Sequence, residues 1–110
     1  MIDWTRVKVL RDEVGAEDFG EVVELFLEEV DEVTTRLRAA TDTSALEADL
    51  HFLKGSAMSL GFSAFSELCQ AGETQSAQGL SDAVDLQRLL TSYDISKEAF
   101  LTKLPSVLAT

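Results

Sequence analysis

Residues 51–61 read His51-Phe52-Leu53-Lys54-Gly55-Ser56-Ala57-Met58-Ser59-Leu60-Gly61. With Leu46 and Leu50 ahead of them, Leu53, Ala57 and Leu60 recur at spacings of three and four, the apolar stripe of an amphipathic helix. At about 100° per residue, His51 lies about 140° from the centre of that stripe, with Gly55 and Met58 on its side and Lys54 near the boundary. The imidazole is therefore expected to face solvent. Gly55 sits inside this helix, where glycine costs roughly 1 kcal/mol relative to alanine and adds no packing, so something is expected to come close there. Lys54 is the only lysine or arginine between Arg38 and Arg88, and at i+3 its ammonium can reach a group carried by His51. A cation beside the one histidine of the chain suggests that an anion sits on that histidine.

The same helix is bounded on both sides. Ser44 followed by Glu47 is a capping-box pattern that predicts its start, after a Thr41–Ser44 turn. Gly61 is predicted to be the left-handed residue that ends it, with Phe62 supplying the hydrophobic contact that follows such an end. Upstream, Asp3 is a candidate cap for a short helix to about Val14 carrying Trp4, Val7, Leu10 and Val14, and Gly15 stops it. A long helix is predicted from about Glu17 to Ala40. It turns Phe19, Val22, Val23, Phe26, Val30, Val33 and Leu37 inward, with acids early and Arg36 and Arg38 at its end, as the helix dipole favours.

Downstream, Ser63 is read as the cap of a helix to about Gln78, with Phe65, Leu68, Cys69 and Ala71 facing inward and Gly72 weakening it locally. A turn over Gly79–Asp82 precedes a last helix from about Ala83 to Leu104, stopped by Pro105 and with an irregularity expected at Tyr93-Asp94-Ile95-Ser96. Strict alternation of apolar and polar residues is nowhere sustained, so the reading is all-α. Residues 1–110 are expected to form one domain: an up-and-down antiparallel four-helix bundle over about 17–104 with an additional short N-terminal helix over about 3–14.

Composition narrows the function. With 20 acidic and 9 basic residues the formal net charge is −11, which argues against nucleic acid or an anionic membrane surface as a partner. The only basic cluster of the N-terminal half, Arg6, Lys8 and Arg11, reads as solvated charge on the capping helix. A single cysteine, Cys69, cannot form an internal disulfide and reads as a small buried hydrophobe, which points to the cytosol. Neither a signal peptide nor an apolar run of about 20 residues is present. One histidine and no calcium-loop spacing make a poor metal site, so no metal is expected on this chain. There is also no glycine-rich phosphate loop, so any phosphoryl group handled here arrives already activated on another protein.

Taken as H-x-x-K-G-S-A-x-x-L-G, the positions His51, Lys54, Gly55, Ser56, Ala57, Leu60 and Gly61 resemble the signature of histidine-containing phosphotransfer (HPt) domains of multistep phosphorelays. The resemblance implies the same bundle and makes His51 the phosphoacceptor, with Lys54 stabilising phosphoryl charge and Gly55 leaving room for a partner's aspartate loop. Ser56, Ala57, Leu60 and Gly61 become the structural part of the motif. It implies response-regulator receiver domains and a hybrid histidine kinase as partners, with Mg²⁺ on the receiver, and a cytoplasmic, bacterial, monomeric carrier without kinase activity of its own. Met58 is the apolar candidate for the partner surface, while Phe52 belongs either to that surface or to packing. Family members often orient the imidazole with a glutamine from the next helix. Here that place falls at Glu73, a departure whose charge would repel a phosphoryl group although the carboxylate could hold the neutral imidazole's N–H before transfer, with Gln70 one turn earlier and Glu47 one turn before His51 as further candidates. A non-covalent helical adaptor, which keeps the fold and loses the chemistry, is the alternative reading.

Overall fold

Among the described residues there are five α-helices, α1 (Trp4–Val14), α2 (Ala16–Ala39), α3 (Leu46–Leu60), α4 (Ser63–Ala77) and α5 (Leu86–Leu108), with one 3₁₀ turn over Ser81–Ala83 before α5. The computed structural model describes residues 2–39 and 43–108. Helices α2 to α5 pack each on the next, and α5 returns against α2 to close an antiparallel four-helix bundle, while α1 lies against α2 and α3. The molecule measures 45 × 22 × 21 Å, its long axis set by α2. No strand occurs among the described residues, apart from one antiparallel bridge between Ile2 and Phe62.

The predicted stripe of α3 is the centre of the core: Leu46, Leu50, Leu53, Ala57 and Leu60 are all buried. At one end of the bundle Trp4 stacks on Phe100 at 5.6 Å and Phe100 meets Phe62 edge-on at 5.2 Å, so α1 plugs that end as its apolar side predicts. Asp3 caps α1 by accepting from the Arg6 N–H at 3.1 Å. In α2 the buried set is Phe19, Val23, Leu27, Val30, Thr34 and Leu37, so the stripe is rotated from the predicted one. Val22, Phe26 and Val33 are only partly covered, and Thr34 is buried without penalty because its hydroxyl donates to the Val30 carbonyl at 2.9 Å.

Several boundaries differ from the sequence reading. The cap position of α3 is Ala45 rather than Ser44, with no side-chain cap; the Leu46 N–H donates instead to the Thr43 carbonyl at 3.1 Å. The predicted end of α2 at Ala40 and the turn residues Thr41 and Asp42 lie outside the described residues. Helix α4 begins at Ser63 itself, with Phe62 as the cap residue, because only Gly61 and Phe62 separate it from α3. Ala71 is exposed and Gly72 is the buried position. A Cβ on Gly72 would lie 2.8 Å from Leu50 Cδ1 and 3.2 Å from Val84 Cγ1, so glycine here permits close approach. Helix α5 starts at Leu86, after Asp85 accepts from the Arg88 N–H at 3.0 Å.

Nor is α5 irregular at Tyr93-Asp94-Ile95-Ser96, which is continuous helix. Tyr93 and Ser96 face the interior three residues apart. The Tyr93 hydroxyl and Lys97 both donate to Asp31, at 2.6 and 2.7 Å, tying α5 to α2. Pro105 does not stop the helix: the last turn runs on to Leu108. Buried Val107 and the Arg11 guanidinium, which donates to the Val107 carbonyl at 2.9 Å, hold that turn against α1.

Candidate functional site

Helices α3 and α4 form a hairpin with two intervening residues, and this tight connection fixes which side chains meet across it. The His51 ring projects from the solvent side of α3 and its side chain is 71% exposed. Its Nδ1 lies 2.7 Å from Oε2 of Glu73 on α4. The other oxygen, Glu73 Oε1, accepts from Lys54 Nζ at 2.7 Å, and Lys54 also donates to Gln70 Oε1 at 3.1 Å. Gln70 in turn donates to the Thr74 hydroxyl at 3.2 Å, which donates back to the Gln70 carbonyl at 3.0 Å. One carboxylate is thus clamped between a ring and an ammonium.

The electrostatics decide the tautomer. The Lys54 hydrogen bond holds the Glu73 carboxyl below the usual carboxylate range, and the His51 hydrogen bond acts in the same direction against partial desolvation. Because the folded value is depressed, the bridge stabilises the protein above the ordinary carboxylate range and is lost only as pH falls through the lowered value. At neutral pH Glu73 is therefore ionised and can only accept. In the neutral ring the proton is then on Nδ1, which donates to Glu73, leaving the lone pair on Nε2.

The other predicted positions divide cleanly. Gly55 is exposed, and a Cβ there would meet nothing within 4 Å, so the bundle itself makes no use of this glycine. Met58 is 58% exposed, farther along the same side of α3, and Phe52 is 39% exposed. Ser56, Ala57 and Leu60 are buried in α3, away from the ring. Gly61 ends the helix with φ 77°. Of the three polar candidates, Glu73 is the residue on the imidazole and Gln70 positions Lys54. Glu47 is exposed and has no hydrogen bond or ion pair among the described residues. Thr74, which steadies Gln70, was not singled out from the sequence; its signal is the i, i+4 Gln-Thr pair on the wet side of α4. Cys69 lies buried behind Glu73, its thiol pushed up to about 12 chiefly by desolvation and further by the Glu73 charge.

A family model described as Hpt domain matches residues 21–99, well over half of the chain. The chain belongs to the Hpt domain family. Hpt domains serve phosphotransfer in phosphorelays and interact with receiver domains and kinases, and the helical bundle described above is theirs. The matched span contains α3 and α4 whole, and with them every residue of the His51–Glu73–Lys54–Gln70 cluster. Searches among curated proteins and among solved structures found no match. Among the described residues no helix of this Hpt domain is long and apolar enough to cross a membrane, and no group of three or more His, Cys, Asp or Glu converges in a way that could hold a metal ion.

Proposed function

We propose that this Hpt domain is a phosphoryl carrier in a two-component phosphorelay, accepting a phosphoryl group on His51 from a receiver-domain aspartate and passing it to another response regulator. The observation that supports this most is the exposed imidazole with its Nδ1 2.7 Å from the Glu73 carboxylate, which leaves the lone pair of the neutral ring on Nε2. In acceptance, Nε2 attacks phosphorus in line, the Nε2–P bond forms, and the aspartyl O–P bond breaks with its electron pair returning to the carboxylate. Stabilising charge on the three equatorial oxygens is the main demand of such a step. Lys54 contributes part of that stabilisation, since its ammonium shares the Glu73 carboxylate with the ring. Mg²⁺ on the receiver supplies the rest, and a hybrid histidine kinase is the original source of the phosphoryl group. The chain acts as a cytoplasmic monomer that carries the group without making it from ATP.

Open space beside Gly55 suits the approach of the receiver's aspartate loop, with Met58 as an adaptable apolar contact beyond it. Glu47, Gln70 and Glu73 shape the edge of that surface. Gly55→Ala tests this separately from folding. Because the new methyl meets nothing, helix propensity alone predicts a gain of about 0.5–1 kcal/mol in denaturant unfolding. Phosphotransfer from a receiver is expected to slow in the same protein. A stabilised variant with unchanged transfer would remove the close approach from the mechanism.

The direct experiment incubates the purified protein with a phosphorylated receiver domain and Mg²⁺ and looks for acid-labile, base-stable phosphate. Such a label supports the carrier. Measurable binding to several receivers without any label would move the reading to a non-covalent adaptor.

A further inference from the structure

The polar cluster constrains how the ring must behave when charged, which deepens the carrier reading and rests on it. We propose that Glu73 keeps the Nδ1 proton on His51 through the whole carrier cycle, so that the phosphorylated ring is an imidazolium and departs as the same neutral tautomer that accepted the group.

The geometry fixes the partner of that proton. Glu73 Oε2 lies 2.7 Å from Nδ1, and Oε1 is held by Lys54 at 2.7 Å. Lys54 is itself anchored by Gln70, and Gln70 by Thr74. The carboxylate therefore has no free oxygen with which to swing away. Glu73 and Lys54 side chains are 17% and 21% exposed, so this contact is less screened than a surface pair.

The charges around the ring are few. On α3 they are Glu47, one turn earlier, and Lys54, already engaged. From α4 only Glu73 is ionised near it, beside uncharged Gln70 and Thr74 and the protonated Cys69 thiol behind. On the α2 side, Arg36 is spent on Asp49 in a bidentate pair at 2.8 Å, and Asp49 lies about 160° around α3 from His51. Helix α1 packs at the far end of α3, where the Asp3 N–H meets the Gly61 carbonyl.

The balance of the step shows why the proton matters. On acceptance the Nε2 lone pair becomes the Nε2–P bond while Nδ1–H stays, so the ring gains a positive charge that faces the Glu73 carboxylate. On donation a receiver carboxylate oxygen attacks phosphorus, the Nε2–P bond breaks, and its pair returns to Nε2. The leaving group is then a neutral imidazole with Nδ1–H still donated to Glu73, which is the resting arrangement. No proton enters or leaves in either direction. Had Nδ1 lost its proton in the charged state, the leaving group would be an imidazolate anion and transfer would stall. An opposite charge within hydrogen-bond distance favours the charged ring, so the carboxylate that looks repulsive toward phosphate also primes its release. Lys54 offsets the repulsion.

Glu73→Gln separates charge from orientation, because an amide oxygen of the same size still accepts from Nδ1–H. Wild type and variant, both ¹⁵N-labelled at histidine, would be phosphorylated with phosphoramidate. Nδ1 protonation would be followed by long-range ¹H–¹⁵N and ³¹P NMR as pH rises, alongside the rate of transfer to a receiver with Mg²⁺. The midpoint of Nδ1 deprotonation in the phosphorylated wild type is expected to lie about 1 pH unit or more above that of the variant, with transfer failing through the same midpoint in each. Equal midpoints, or a variant slowed by one factor at every pH, would overturn the proposal and leave Glu73 a mere orienting group. If the ring titrations differ but no receiver takes the phosphate, the carrier reading fails while the charge effect stands. No Nε2 phosphohistidine after phosphoramidate treatment overturns both.

Discussion

His51→Gln is expected to accept no phosphoryl group from any charged receiver while unfolding within about 0.5 kcal/mol of the wild type. The chemical half of that expectation is all-or-none. His51 is the one histidine in the chain, and an amide nitrogen, whose lone pair is delocalised into the carbonyl, cannot replace Nε2 as a nucleophile. The structural half follows from exposure and from the partner left behind. The ring is 71% exposed, and among the described residues its one hydrogen bond is to Glu73. With the ring gone, Glu73 still holds Lys54 at 2.7 Å and the new amide can donate to the vacated oxygen, so no buried charge is orphaned. Acid-labile, base-stable phosphate measured beside a thermal melt reads both halves at once. A label that persists on the variant would place the phosphoryl group elsewhere and sink the assignment, and a collapsed melt would show that the ring holds the bundle together.

What could be read in advance was whatever depends on one helix at a time. The stripe of Leu46, Leu50, Leu53, Ala57 and Leu60 gave the buried face of α3, and the same wheel put His51 in solvent. Gly61 and its following Phe62 marked the helix end. Positions set by contacts between helices were less legible. Leu27 and Thr34 are buried because α2 is rolled between α3 and α5, a rotation that periodicity on one helix does not fix. Pro105 obeys local rules for a stop, yet Val107 and Arg11 supply tertiary contacts that outweigh them. Ser44 offered a good cap, but the turn used the Thr43 carbonyl instead.

Glu73 is the instructive case at the site. Read along α4 alone, it is an acid in the place of a glutamine, open both to repelling a phosphoryl group and to holding the imidazole N–H. The choice between them is made by Lys54 and the ring occupying its two oxygens, and that depends on the register between α3 and α4. A two-residue connection sets that register, so the residues were all visible in the sequence while their three-body arrangement was not.

The register itself hangs on Gly61, and Gly61→Ala is expected to destabilise the domain by on the order of 3–4 kcal/mol. Two independent terms contribute. With φ 77° and ψ 17° the residue is left-handed, a conformation that costs a side-chain-bearing residue about 1–2 kcal/mol. A Cβ would also lie 2.6 Å from the Asp3 carbonyl oxygen and 3.2 Å from Val7 Cγ2. The first of these neighbours is backbone and cannot rotate aside. Relief requires α1 to move, which strains the Asp3 N–H donated to the Gly61 carbonyl at 2.7 Å and the Trp4 stack on Phe100. The comparison with Gly55→Ala makes the test sharp, because the same methyl is added to the same helix six residues earlier, where it meets open space. Denaturant unfolding should move in opposite directions in the two variants. A Gly61→Ala protein within about 1 kcal/mol of wild type would mean that α1 yields easily, and that the α3–α4 hairpin keeps its register, and so the His51–Glu73 contact, without that clasp.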